Sequence, residues 1–243
     1  MNHTMLAVDK QILKNFIPPV FLPIYRRLRG VNQTEQLPEM AIEDLFPGIE
    51  GVTVTVPFWQ TKRQSGTLPI AELLVVSAIC QHLSAMKVFE IGTYTGSSTL
   101  AIAMHTSPDA QVFTIDLPPQ ARRTKHPVEN GDITGVDYVV GEHYRSNGYE
   151  RKIKQLYGDS AEFDFGSFAA SMDIVFVDGN HEYENVKADT VNAFKMVRPG
   201  GVIIWDDYHP QFGPGVMRAL HELPRGTIYR IKDTRLALHS RHR

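Results

Sequence analysis

A doubly wound α/β fold is predicted: a mostly parallel sheet with helices on both faces and an antiparallel hairpin at its C-terminal end. Three features of the sequence predict it. Short apolar runs of strand length alternate with helix-length segments from Thr67 onward. Several of these runs stop on an acidic residue or a glycine, as expected where a sheet binds ligand at the carboxyl ends of its strands. The 243 residues, 42% hydrophobic and 21% charged, suffice for one such domain with an appendage.

Residues 1–66 stand apart as an N-terminal arm, with scattered prolines, a short amphipathic piece from Gln11 to Ile17 and a basic cluster at Arg26, Arg27 and Arg29. Packing of this arm on the core or on a second subunit, giving a homo-oligomer, is one reading. Peripheral contact with a membrane or a lipid-linked substrate is the other, since apolar and basic residues together suit an interface. The domain proper is placed at 67–243. Pro69 suits a first helical turn, and Ile70 to Leu83 reads as a buried helix. Lys87 to Ile91 is a strand, Gly92 to Ser98 a tight turn, and Thr99 to His105 opens a helix. Ala110 to Ile115 is the next strand, ending on Asp116.

Leu117 to Glu150 breaks the pattern with a diproline, a basic run (Arg122, Arg123, Lys125) and a turn-like Glu129-Asn130-Gly131-Asp132. An insertion of this length is a lid over the substrate or a mobile loop without catalytic consequence. Regularity then returns. Lys152 to Tyr157 closes on Gly158-Asp159-Ser160, and Met172 to Val177 closes on Asp178-Gly179. Tyr183 to Val197 is a helix ended by Pro199-Gly200-Gly201, Val202 to Trp205 a buried strand, and Thr227 to Ser240 a hairpin turning near Lys232-Asp233.

A formal net charge of -2 gives no electrostatic reason to expect nucleic acid as a partner. The single cysteine, Cys80, excludes an intrachain disulfide and a cysteine-rich zinc site, and fits a reducing, cytoplasmic compartment. It sits in an apolar run, which favours a buried inert thiol over a nucleophile. No run reaches the roughly 18 apolar residues of a membrane-spanning helix. Phe16 to Tyr25 is broken by Pro18, Pro19 and Pro23 and lacks the flanks of a signal peptide.

The turn after the first strand carries the most chemistry. Gly92 and Gly96 are separated by three residues, which is neither the dinucleotide spacing nor a P-loop. Glu90, just before the turn, repels a pyrophosphate but accepts bonds from the ammonium of a zwitterionic amino acid. Asp116, after the second strand, is placed to accept the hydroxyls of a ribose. The run Val88-Phe89-Glu90-Ile91-Gly92-Thr93-Tyr94-Thr95-Gly96-Ser97-Ser98 resembles motif I of the class I SAM-dependent methyltransferases, and with Tyr94 and Ser98 it looks like the catechol and caffeoyl-CoA O-methyltransferase branch. The set also resembles small-molecule and sugar methyltransferases, over about Thr67 to His209. That resemblance implies a Rossmann-like core and S-adenosylmethionine as cofactor. It places Glu90, Gly92 and Ser98 around the methionine end, Asp116 on the ribose, and Gly158, Asp159 and Ser160 beside the adenine, with Thr93, Tyr94, Gly96, Ser97 and Asp178 also in the cofactor-binding set. The bland alternative is a tight turn in a domain that binds nothing.

Asp178 ends one strand and Asp206-Asp207 the next, so adjacent parallel strands bring three carboxylates to one edge. Such a cluster repels itself unless protonated, paired or bound to a cation. The spacing resembles the metal triad of catechol-type O-methyltransferases, with Asp207 where those have asparagine. By that resemblance Asp178, Asp206 and Asp207 hold a divalent metal, in the first place Mg²⁺. The alternative is that Asp178 touches the cofactor while the other two cap loops. His181 stands where catechol-type enzymes carry a catalytic lysine; it is the candidate base, with Asp178 as the second catalytic candidate. The expected activity is methyl transfer from SAM to a hydroxyl of a small-molecule acceptor, a sugar or natural product. N-methylation, a non-methylating metal-dependent enzyme and a SAM-binding protein without turnover are the competing readings.

Overall fold

The computed structural model describes residues 36–62, 66–118, 121, 138–224 and 226–240. Eight strands form one sheet: β1 (Glu39–Met40), β2 (Lys87–Ile91), β3 (Gln111–Asp116), β4 (Ile153–Tyr157), β5 (Met172–Val177), β6 (Val197–Trp205), β7 (Ile228–Ile231) and β8 (Ala237–Ser240). Their order across the sheet is β1-β7-β8-β6-β5-β2-β3-β4. Strands β4, β3, β2, β5 and β6 run parallel, whereas β8 pairs antiparallel with both β6 and β7.

The strand residues alternate between two apolar layers, as the two-residue period requires. Ile174, Phe176, Val202 and Ile204 face one layer; Val175, Val177, Ile203 and Trp205 face the other. After the short α1 (Ile42–Leu45), helices α2 (Ile70–His82) and α3 (Ser97–His105) cover the first layer. The short α4 (Glu142–Ser146) follows, and α5 (Tyr183–Met196) and α6 (Pro214–His221) cover the second. Helix α2 is apolar nearly all round because its neighbours bury it; Leu73, Val76, Ile79 and Cys80 are at most 1% exposed. Burial pushes the Cys80 thiol up to about 12, which leaves it inert at neutral pH.

Three placements differ from the sequence reading. Strand β6 starts at Val197, directly after α5, and not at Val202: Pro199 and Gly200 are taken into an exposed irregular start, where the register against β5 shifts between Met172 and Ile174. Helix α6 was not anticipated, although Pro214 at its first turn and the apolar Val216, Ala219 and Leu220 are the expected signature. Strand β1, two residues long, extends the sheet beyond the hairpin by pairing Glu39 with Arg230 and Met40 with Ile231. Residues 36–62 lie on the domain, with Phe46 and Ile49 buried in the first apolar layer. The basic cluster at Arg26, Arg27 and Arg29, and most of the lid expected over Leu117 to Glu150, fall outside the described residues. Among the described residues no helix is long and apolar enough to cross a membrane.

Strands β2 and β5 are also tied at their starts. Asp173 Oδ2 accepts the backbone N–H groups of Met86 and Lys87 at 2.7 and 2.8 Å, while Oδ1 pairs with Arg198. Asp173→Ala is expected to destabilise the domain by about 2 kcal/mol, read as a lower urea midpoint at unchanged m-value.

Candidate active site

The strand order reverses between β2 and β5, with β3 and β4 to one side and β6 to the other. Loops leaving the two central strands part there and open a crevice. A cavity of about 860 Å³ fills it, within the ~300–1,000 Å³ usual for small-ligand sites. Gly92, Thr93, Tyr94, Ser97, Ser98 and Asp116 line one part of its wall. Gly158, Asp159, Ser160, Asp178 and His181 line the rest of the predicted set. Glu90, Gly96, Asp206 and Asp207 are buried and do not line it.

Gly92 makes the crevice. Its N–H donates to the Ile115 carbonyl at 2.9 Å, while the Asp178 N–H donates to the Ile91 carbonyl at 2.8 Å. At φ 100°, a Cβ on Gly92 would stand 1.9 Å from the Asp178 carbonyl oxygen. No other residue fits between these two turns. Gly96 opens α3 and abuts Gly141 and Tyr144, which lie in the described C-terminal part of the insertion.

Glu90 sits beneath the turn at 0% exposure. The hydroxyls of Thr99 and Thr114 donate to its Oε2, the latter at 2.6 Å. Thr93 meets Thr114 at 2.7 Å, Gln155 Nε2 donates to Thr93 at 2.9 Å, and the Tyr144 hydroxyl donates to Gln155 Oε1 at 3.1 Å. Two hydroxyl donors thus converge on one carboxyl oxygen, with the Gln155 amide linked to them through Thr93. Burial still dominates and pushes the Glu90 carboxyl up to about 7. The C-terminal part of the insertion grips the same turn: Gly141 and His143 N–H groups donate to the carbonyls of Tyr94 and Thr95, both at 2.9 Å.

Asp116 ends β3 as predicted, and its Oδ2 accepts the Tyr94 N–H at 2.7 Å. The Gly158 N–H donates to the Asp116 carbonyl at 3.0 Å, so the loops after β3 and β4 are joined. Asn192 of α5 supports the far loop by donating to the Ser160 carbonyl at 3.1 Å.

The three aspartates converge as their spacing predicts. His181 lies between two of them, with Nδ1 3.2 Å from Asp207 Oδ2 and Nε2 3.8 Å from Asp178 Oδ1. Burial raises the Asp178 carboxyl; burial and then the neighbouring Asp178 and Asp207 raise Asp206 well above the usual range. Asp206 Oδ1 is buried without a hydrogen-bond partner. Asp207, held at φ 54°, faces Arg235 with its other oxygen, Nη1 to Oδ1 at 2.7 Å. Among the described residues no group of three or more His, Cys, Asp or Glu side chains is arranged to hold a metal ion. Asp207 Oδ1 is likewise buried without a hydrogen-bond partner, but Arg235 Nη1 and His181 Nδ1 stand beside the two Asp207 oxygens, so an ion drawing on Asp207 competes with both side chains.

The sequence reading missed Gln211, Phe212, Pro214 and Gly215, which line the cavity beside His181. Gly215 packs so closely that a Cβ there would stand 2.2 Å from the His181 carbonyl oxygen. The Gly213-Pro214-Gly215 run was the available signal. Nothing local marks Glu72 or Arg235, which meet across 163 residues.

A family model described as a methyltransferase domain matches residues 89–208. The flavonoid 3',5'-methyltransferase of Vitis vinifera is 25% identical over 194 residues, 74% of this chain and 73% of that protein. Among solved structures, the O-methyltransferase TomG of Streptomyces achromogenes, in complex with SAM, superposes with a TM-score of 0.56 at 17% identity, covering 81% of this chain and 95% of that one. The Bacillus cereus O-methyltransferase in complex with SAH gives 0.54 at 15% identity, covering 91% and 97%. Fold and crevice define a Rossmann-like domain with its cavity at the switch point of the sheet. Its central part, residues 89–208, matches the methyltransferase-domain model, and the chain is similar to O-methyltransferases in sequence and in fold.

Gly92→Ala is expected to cost about 3–5 kcal/mol, measured by urea unfolding, and to abolish SAH binding in calorimetry. Glu90 adds a pH signature. Its carboxyl binds a proton more tightly folded than unfolded, so its contribution to stability is fully present below about pH 4.5 and is lost as pH rises towards 7. Glu90→Gln is expected to remove this decline, about 1.4 kcal/mol per pH unit across that window, in urea midpoints measured against pH.

Proposed function

We propose that the protein transfers the SAM methyl group to a hydroxyl of a small-molecule acceptor, a sugar or a polyhydroxylated natural product. One observation carries this reading: a single cavity has Asp116 and the Gly158–Ser160 loop along one part of its wall and the Asp178–His181 pair along another. The first group suits a ribose and adenine, the second a hydroxyl that must lose a proton. The likeness to a flavonoid methyltransferase supports a polyhydroxylated acceptor.

Bound SAM supplies an electrophilic methyl on a cationic sulfur. Within this reading Gly92 and Gly179 let the backbone approach it, and Asp116 and Asp159 hold its nucleoside end. Thr93, Tyr94, Ser97 and Ser98 surround the amino-acid end, with Glu90 and Gly96 supporting their turn from behind. On the acceptor side Phe212 offers an apolar face and Gln211 a polar one. The Asp178–His181 pair takes the hydroxyl proton: burial raises the Asp178 carboxyl towards the range of a useful base, and Asp207 stabilises the imidazolium form of His181. No step is routed through a metal: Asp178 and Asp207 face His181, and Arg235 stands beside Asp207. A reducing, cytoplasmic setting belongs to the same reading and is supported by the lone buried Cys80.

The test begins with calorimetric titration of the full chain with SAH, where saturable binding is expected and its absence would sink the reading. Turnover on a panel of phenolic and sugar acceptors follows. His181→Asn is expected to lower kcat by about 10²–10⁴ while leaving SAH affinity within a few fold. An unchanged kcat would remove His181 from the proton path.

A further inference from the structure

Arg235 lies in the turn between β7 and β8, and its guanidinium reaches back into the carboxylate corner. Nε and Nη2 bond the two oxygens of Glu72, each at 3.0 Å, and the Arg235 backbone N–H adds a 2.8 Å bond to Glu72 Oε1. Nη1 is 2.7 Å from Asp207 Oδ1, and Cζ stands 4.9 Å from the ring centre of Phe212. The Glu72 side chain is only 4% exposed and that of Arg235 20%, so this cation is built into the wall.

We propose that Arg235 is the resident cation of the acidic corner, filling the charge-neutralising and orienting role that the aspartate spacing alone would assign to a divalent ion. The proposal rests on the reading of the cavity as a methyl-transfer site. Its argument is competition for one carboxylate. Magnesium requires oxygen ligands at about 2.0–2.1 Å in near-octahedral array. Arg235 Nη1 stands 2.7 Å from Asp207 Oδ1 as an ion pair, without hydrogen-bond geometry, and Oδ2 faces His181 Nδ1, so an ion drawing on Asp207 must displace a guanidinium. That guanidinium is fixed by a two-pronged grip on Glu72 and by an aromatic face, and it keeps its charge at every working pH. A continuous chain results: Glu72 holds Arg235, Arg235 holds Asp207, Asp207 faces His181, and His181 faces Asp178 at the cavity wall. Arg235 touches neither cofactor nor acceptor in this scheme. It is a positioning residue acting through Asp207 and His181.

A gain of metal affinity separates this role from a merely structural one. Mn²⁺ is titrated calorimetrically into the full chain, and the melting temperature is followed with Mn²⁺ and with chelator. The wild type, Arg235→Met and the double variant Glu72→Gln/Arg235→Met are compared, the last because it leaves no carboxylate behind where the guanidinium was held. The wild type is expected to show no saturable micromolar Mn²⁺ binding, no Mn²⁺-dependent rise in melting temperature, and SAH affinity indifferent to chelator. At least one variant is expected to bind Mn²⁺ about tenfold more tightly or better and to regain melting temperature when Mn²⁺ is added. Saturable micromolar Mn²⁺ binding by the wild type overturns the proposal, as does failure of both folded variants to gain affinity. Wild-type SAH binding is measured in the same series. Its failure would remove the methyl-transfer reading without altering the Mn²⁺ comparison.

Discussion

The chain leaving β2 passes the chain leaving β5 so closely that a carbonyl oxygen occupies the space where Gly92 would carry a side chain. Both turns are locked in register before they diverge, through Gly92 N–H to Ile115 and Asp178 N–H to Ile91. This approach fixes the floor of the crevice and places Asp178 beside the cofactor turn. It also commits the polar groups beneath. Thr93, Thr99 and Thr114 are buried and bond one another or Glu90, and the half-buried Gln155 donates to Thr93.

The same parallel geometry that makes the site creates its electrostatic difficulty. Ending β5 on Asp178 and β6 on Asp206-Asp207 stacks carboxylates at one edge, and burial, with their mutual repulsion second, raises Asp206. The counter-charge comes from elsewhere in the topology. Because β8 runs antiparallel beside β6, the turn that precedes β8 arrives at the carboxyl end of β6, which is where Arg235 is found. Glu72, on a helix that covers the opposite layer from α5, completes the pair.

Much of this was legible in the chain. Strands β2, β3 and β5 were visible as runs because most of their residues are buried and apolar, whereas the edge strand β4, with Lys154 exposed, was marked by the Gly158-Asp159-Ser160 turn that closes it. The cofactor turn and the three aspartates were visible because each ends such a run. Boundaries were less so: Pro199 and Gly200 look like a break, yet the sheet absorbs them at an irregular edge. The two-residue β1 carries no periodicity at all. Within the site, Arg235 and Glu72 were invisible because their meaning depends on a contact between distant segments. An arginine after a turn and a glutamate in a first helical turn each have ordinary surface explanations. Phe212 and Gly215 were hidden differently, in a linker whose short helix the sequence reading passed over.

The hairpin that carries Arg235 also bears on how the molecule is made. Synthesis proceeds from the N-terminus, and the strands that form the crevice emerge before β7 and β8. A nascent chain extended only to Trp205 and its two following aspartates holds the acidic corner without its guanidinium. Self-repulsion then works against closing β6 onto β5 until the turn at Arg235 leaves the ribosome. The strands of the crevice are thus made before the residue that balances their charge.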